Sequence, residues 1–120
     1  PGINSHEILK LAKAVSDHGA RSFAFTVVRL NGAIGQIFTD WIKKALPDKA
    51  DKVLHQIEEC HGGNLNDSRF GVRSRGEGKI AQQINDMMRL AKKLYFKETT
   101  FPKLNTDLHE TKKDGQMRLF

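Results

Sequence analysis

One short run departs from the pattern that the rest of the chain follows. Most of the 120-residue chain repeats apolar residues at the spacing of an α-helix, but the run from Ser22 to Val28 is aromatic and β-branched and lies between Gly19 and Gly32. Apolar residues on both faces predict a buried parallel strand. A helix followed by such a strand is half of a repeating β/α unit. We therefore predict a mainly α chain with one or two strands, of the α+β class.

Caps and helix breakers divide the remainder into four predicted helices. The first lies between Asn4 or Ser5 and Gly19, and the second between Gly32 and Pro47. The third runs from the cap Asp48 to the stop Gly62-Gly63, and the fourth spans the apolar positions from Ile80 to Leu94. The predicted strand has no neighbour within the chain. Because an unpaired strand exposes two edges, we expect self-association through them.

The composition limits the classes of protein and partner. A net charge of +6 and a pI near 9.6 favour acidic partners, and nucleic acid is the commonest of these. The single cysteine, Cys60, excludes an internal disulfide framework and fits a reducing cytoplasm. No apolar run approaches the length of a membrane span, so we predict a cytoplasmic protein without a membrane partner. The scattered histidines and the single cysteine predict no metal site, and no arrangement indicates a catalytic triad.

The stretch from 66 to 78 interleaves arginines with glycines and leads into the fourth predicted helix. Glycine lets backbone N–H groups approach a ligand closely, and guanidinium groups bind phosphate or carboxylate in a bidentate manner. We therefore predict that Arg69, Arg73 and Arg75 form an anion site. Two interpretations stay open. The arginines contact a ligand, either nucleic-acid phosphate or a cofactor carboxylate, or they pair with Asp67 and Glu77 and order the loop.

The same loop resembles the C-terminal region of radical S-adenosylmethionine enzymes, together with the runs Asp48–Leu54 and Glu58–Gly63 before it. The subgroup is the DNA repair photolyase-like one, related to spore photoproduct lyase. Pro1–Asn4 resembles the turn after a late barrel strand in these proteins, and Gly115–Phe120 resembles their terminus. The resemblance covers nearly the whole chain.

This resemblance implies a β/α-barrel remnant at 1–32, a helical C-terminal region at 33–96 and an extended tail at 97–120. It also implies a parent lyase that acts on nucleic acid with a [4Fe–4S] cluster and S-adenosylmethionine. The family binds its cluster through cysteines spaced C-x3-C-x2-C, and this chain has only Cys60. We therefore expect a non-catalytic C-terminal fragment that binds no cofactor of its own.

By the same resemblance, Arg29 and Asn31 would lie near S-adenosylmethionine or the substrate of the parent. They follow the predicted strand, and the carboxyl end of a barrel strand faces the active site. The alternative is that Arg29 ends a strand in solvent.

The end of the chain carries a second hypothesis. Residues 116–120 resemble the short peptides by which bacterial DNA-repair and replication proteins dock on the sliding clamp. Gln116 offers an amide for hydrogen bonding, while Met117, Leu119 and Phe120 offer apolar anchors for a preformed groove. The chain would then act as a recruitment module. The alternative is that Leu119 and Phe120 are buried on the chain's own domain.

Overall fold

A computed structural model describes residues 1–97, 103 and 105. The chain begins with a 3-10 turn at Ser5–Glu7, which leads into the first of four helices. The helices are α1 (Ile8–Asp17), α2 (Ala33–Ala45), α3 (Pro47–Cys60) and α4 (Gly78–Tyr95). They confirm the four helices that the apolar spacing predicts.

The capping position of α3 lies two residues before the predicted one, and its chemistry differs. Asp48 was expected to cap the helix, but α3 begins at Pro47 with Leu46 in the capping position and no side-chain capping bond. Proline is suited to the first helical position because its fixed φ is already helical and its missing N–H would have no partner there. Asp48 instead lies in the first turn, where its charge complements the helix dipole.

Each helix packs against its neighbour in the order α1, α4, α3, α2. Between α2 and α3 the core contains Ile42, Val53 and Ile57, none of them more than 1% exposed. Ala12 of α1 and Ala91 of α4 are buried to the same degree. Small side chains let the backbones of α1 and α4 approach closely, and Ala81 of α4 packs in one buried cluster with Cys60 of α3, so α4 is fixed between α1 and α3. The loop that joins α3 to α4 therefore starts and ends on rigid elements.

The predicted strand is wrong, and with it the α+β assignment. Within the described residues the chain forms no strand and no sheet, and the fold is a small all-α one. Residues 20–31 are extended, and Phe23, Phe25 and Val27 face inward while Thr26 and Val28 are exposed. Alternation with one buried face is what an extended segment lying on helices requires. An aromatic, β-branched composition predicts extended backbone, and it cannot say whether another strand lies beside it.

The barrel remnant predicted at 1–32 is wrong for the same reason. The extended segment forms single backbone hydrogen bonds with the loop after α3: Val27 N donates to Ser74 O at 2.9 Å, and Leu30 N donates to Leu65 O at 2.8 Å. A strand needs a partner over consecutive residues, and an irregular loop does not offer one. Self-association stays a prediction, without the strand edge on which it was based.

None of the described helices is both long and apolar enough to cross a membrane. The cytoplasmic location and the division of the chain at residues 32 and 96 stay predictions.

Candidate functional site

The loop between α3 and α4 is closed at its base by one backbone hydrogen bond. Glu77 N donates to Cys60 O at 2.9 Å, which brings the two helix ends together. Gly76 lies at this junction with φ +70°, and a Cβ there would lie 3.0 Å from both Cys60 O and Ala81 Cβ. Glycine meets both demands because it adopts left-handed backbone without strain and leaves room for the neighbouring helix.

Arg69 is held between the two carboxylates of the loop. Its Nε and Nη2 atoms donate to Asp67 Oδ1 and Oδ2 at 3.0 and 2.8 Å, and its backbone N donates to Asp67 Oδ1 at 2.9 Å. Nη2 also donates to Glu77 Oε1 at 2.6 Å. These hydrogen bonds hold the pKa of the Asp67 carboxyl well below its usual range and raise the pKa of the Arg69 guanidinium. The sequence leaves two roles open for Arg69, ligand contact and ion pairing within the loop. The structure contains the ion pairs with Asp67 and Glu77 that order the loop.

His61 and Arg29 join this loop to the extended segment. The buried His61 places Nε2 2.9 Å from Val28 O, and because a carbonyl only accepts, Nε2 carries the proton. Its Nδ1 lies 3.6 Å from Asp67 Oδ2 and has no hydrogen-bond partner among the described residues. Arg29 Nη1 donates to Asp67 O at 3.0 Å. The extended segment, the end of α3 and the loop therefore meet at Asp67, which is 5% exposed.

The structure separates the two residues that were predicted near a cofactor or substrate. Arg29 is half-buried against the loop, so it does not end its segment in solvent. Asn31 is exposed, and its carbonyl accepts a hydrogen bond from Ile34 N at 3.1 Å where α2 begins. A role beside a cofactor stays a prediction for both residues.

Phe70, Arg73 and Arg75 are exposed or partly exposed on the tight turn that follows Arg69. Phe70 is 92% exposed, the largest fraction among the exposed apolar side chains of the described residues. Arg73 Cζ lies 5.8 Å from the centroid of the Phe70 ring, within cation–π range. The turn is closed by bonds from Arg73 N to Arg69 O and from Arg75 N to Val72 O, each 3.0 Å long. Within the described part of the chain, neither Arg73 nor Arg75 forms an ion pair.

An open concavity of about 510 Å³ separates this turn from α4. The turn contributes Arg75 and the backbone around Gly71, and α4 contributes the polar side chains of Gln82, Asn85 and Arg89. Asn85 Nδ2 donates to Ala81 O at 2.8 Å, which fixes that amide on the helix. The concavity therefore presents the guanidinium groups of Arg75 and Arg89, and Arg69 holds the Glu77 carboxylate that also lines it. Guanidinium groups are suited to phosphate oxygens.

The sequence predictions do not include two residues of this surface, Phe70 and Arg89. Phe70 stands between arginines and glycines, and that interleaving is itself a signal of nucleic-acid binding. The Arg89 side chain is 74% exposed and pairs with Asp86 on the preceding turn of α4. No sequence pattern links Arg89 to the loop, because its position there depends on how α4 packs beside the turn.

Metal ligands do not gather in the described part of the chain: no three His, Cys, Asp or Glu side chains are close enough to bind an ion together. Cys60 is fully buried, and its burial raises the pKa of its thiol. The residues predicted for docking, Gln116, Met117, Leu119 and Phe120, lie outside the described residues.

Comparisons of the chain with protein-family models, curated proteins and solved structures gave no match. The resemblance to radical S-adenosylmethionine enzymes, with the cofactors and substrate it implies, therefore stays a prediction from the residues quoted above.

Proposed function

We propose that the chain binds nucleic acid through the turn at 70–75 and the concavity beside α4, as the non-catalytic part of a radical S-adenosylmethionine enzyme. The observation that carries the binding proposal is the placement of Arg75 and Arg89 around one open concavity, with Arg73 on the same turn. Guanidinium groups bind phosphate oxygens in a bidentate manner.

The pairing within the loop supports this assignment. Arg69 pairs with both Asp67 and Glu77 and offsets one of their two negative charges, so neither carboxylate confronts an incoming phosphate without a cation beside it. Arg73 and Arg75 have no such partner among the described ion pairs. The net charge of +6 adds a long-range attraction for polyanions.

The parent's radical chemistry rests on the resemblance and not on residues of this chain. A [4Fe–4S] cluster is held by several cysteine thiolates, and the chain offers one thiol, which is fully buried. These residues do not fit the cluster. The function proposed for this chain is therefore to bind and position a polyanionic substrate.

The binding proposal is tested by fluorescence anisotropy with the full chain and a labelled DNA single strand of about 12 nucleotides. The logarithm of the binding constant is expected to fall linearly with the logarithm of the salt concentration, because phosphate contacts release counterions. The triple variant Arg73→Ala, Arg75→Ala and Arg89→Ala should lose most of the affinity and show a shallower salt dependence.

A matched control removes the same charge elsewhere. Lys43, Lys44 and Lys49 are exposed at the junction of α2 and α3, at the opposite end of α3 from the loop. Their triple alanine variant should keep most of the affinity. Equal losses in the two triple variants would show that binding follows total charge, and the proposed surface would be wrong.

We also propose, as a second function, that residues 116–120 recruit a partner such as the sliding clamp. Its support is the sequence pattern of Gln116, Met117, Leu119 and Phe120 alone. The two functions are compatible, because they use different parts of the chain.

A further inference from the structure

Phe70 is exposed in a way that differs from the other apolar side chains of this protein. It is 92% exposed, whereas the next most exposed large apolar residue, Ile37, is 65% exposed and lies on a helix face. Its ring lies beside the guanidinium group of Arg73 and packs against neither of the buried apolar clusters, so it stands apart from the apolar core.

The ring projects from a turn whose backbone is fixed on both sides. Arg69, the residue before it, is held to Asp67 by its backbone N and by its side chain. Arg73 N closes the turn on Arg69 O at 3.0 Å. An exposed aromatic ring on an ordered turn can stack on a flat ligand with little loss of side-chain entropy.

One side of the Phe70 ring is approached by a cation. Arg73 Cζ lies 5.8 Å from the ring centroid, and the exposed fraction of 92% shows that the guanidinium covers little of the ring. A nucleobase stacks on an aromatic face, and an adjacent guanidinium adds cation–π attraction and a contact for the phosphate.

The arginine-lined concavity begins at the residue after Phe70. Gly71 lines it, followed by Arg75, and Arg89 borders it from α4. A strand whose base stacks on Phe70 would therefore carry its next phosphate towards these two guanidinium groups. A helical duplex cannot do the same, because its bases are already stacked on both faces.

We infer that this surface binds single-stranded nucleic acid, with an unpaired base stacked on Phe70 and the adjoining backbone in the concavity lined by Arg75 and Arg89. The inference rests on the proposed nucleic-acid binding and names its form. It predicts that single strands bind more tightly than duplexes of the same length.

The test measures the anisotropy of a labelled single strand and of its duplex with the full chain and three variants. Phe70→Leu keeps the apolar character and removes the ring, Phe70→Tyr keeps the ring, and Trp41→Leu removes a half-exposed ring from α2. Phe70→Leu should weaken single-strand binding by about tenfold, the effect expected of one stacked base. Phe70→Tyr and Trp41→Leu should bind as the unsubstituted chain does.

A spectroscopic measurement separates stacking from charge. A fluorescent adenine analogue in the strand should change its emission with the unsubstituted chain and with Phe70→Tyr, but not with Phe70→Leu. The salt dependence of Phe70→Leu should match that of the unsubstituted chain, because a base stack involves no counterion. The helical circular dichroism of all variants provides the check on folding.

Two results overturn the inference while leaving the proposed function in place. In the first, Phe70→Leu binds the single strand as tightly as the unsubstituted chain does. In the second, the unsubstituted chain binds the duplex as tightly as the single strand. In both cases the triple arginine variant still binds more weakly. If the triple arginine variant binds as tightly as the unsubstituted chain, the proposed function fails as well.

Discussion

Arg69 Nη2 lies 2.8 Å from Asp67 Oδ2, and the two residues are separated in the chain by Ser68 alone. This local pair orders the turn that carries Phe70, since the Asp67 side chain is 3% exposed and cannot leave its position without losing its bonds to Arg69 and its contact with His61. The loop is therefore built around Asp67, and three of the four predictions below concern its stability.

Replacing Asp67 with Asn should destabilise the fold more than replacing Glu77 with Gln. Asp67 accepts three hydrogen bonds from Arg69 and is buried, while the Glu77 side chain is 43% exposed and its pair is weakened by water. Urea unfolding followed by circular dichroism measures both variants. A lower midpoint for Glu77→Gln than for Asp67→Asn would contradict this account of the loop.

The free energy of unfolding should fall in acid, and part of that decrease should depend on Asp67. Its hydrogen bonds to Arg69 depress the pKa of the folded carboxyl below the unfolded value of about 3.9. The stabilisation is therefore present above about pH 4 and is lost as the pH falls through the folded pKa. The free energy of unfolding should drop less steeply with acid in Asp67→Asn than in the exposed control Asp40→Asn. Identical slopes in the two variants would refute it.

Gly76→Ala and Gly35→Ala should change stability in opposite directions. A Cβ on Gly76 meets left-handed backbone and two atoms at 3.0 Å, so we expect a loss of about 1–2 kcal/mol or more. Gly35 lies in α2 with helical backbone, and its Cβ would have its nearest contact at 3.5 Å from Leu30 O, so alanine should add up to about 1 kcal/mol. Thermal unfolding distinguishes them, and a neutral Gly76→Ala would mean that the base of the loop yields.

A labelled peptide covering Asp114–Phe120 should bind the bacterial sliding clamp with a Kd on the order of micromolar. Leu119 and Phe120 supply the apolar anchors, so replacing both with alanine should abolish saturable binding. Anisotropy of the peptide measures this directly. The absence of saturable binding by the unsubstituted peptide would remove the recruitment function without affecting the loop.

The helices were predictable because their signal is local. Apolar spacing identifies α2 from Ile34 to Ile42 without any knowledge of what covers it. The strand predicted from Phe23 to Val28 is wrong because a strand and a lone extended segment share the same side-chain chemistry and differ only in their neighbours. Its neighbour is the loop near Ser74, which is distant in the chain, and no local pattern reports that contact.

The candidate site divides in the same way. Arginine and glycine composition predicts the loop, and pairing with Asp67 and Glu77 is one of the two roles that the sequence leaves open for its arginines. The bond from Arg29 to Asp67 O joins residues far apart in the chain, so spacing could not reveal it. The contribution of Arg89 depends on the packing of α4, which is a tertiary property.

The bond from Glu77 N to Cys60 O has a consequence for how this surface changes over evolution. Since the two ends of the loop are joined at the helices and Asp67 holds Arg69 within it, the exposed residues at the tip can be exchanged while α3 and α4 keep their places. The tip at Phe70 and Gly71 can therefore vary while the two helices and the closed base of the loop stay the same. Related chains are expected to differ most at that tip, and least at Gly76, which the base of the loop requires, and at Asp67, which holds the turn.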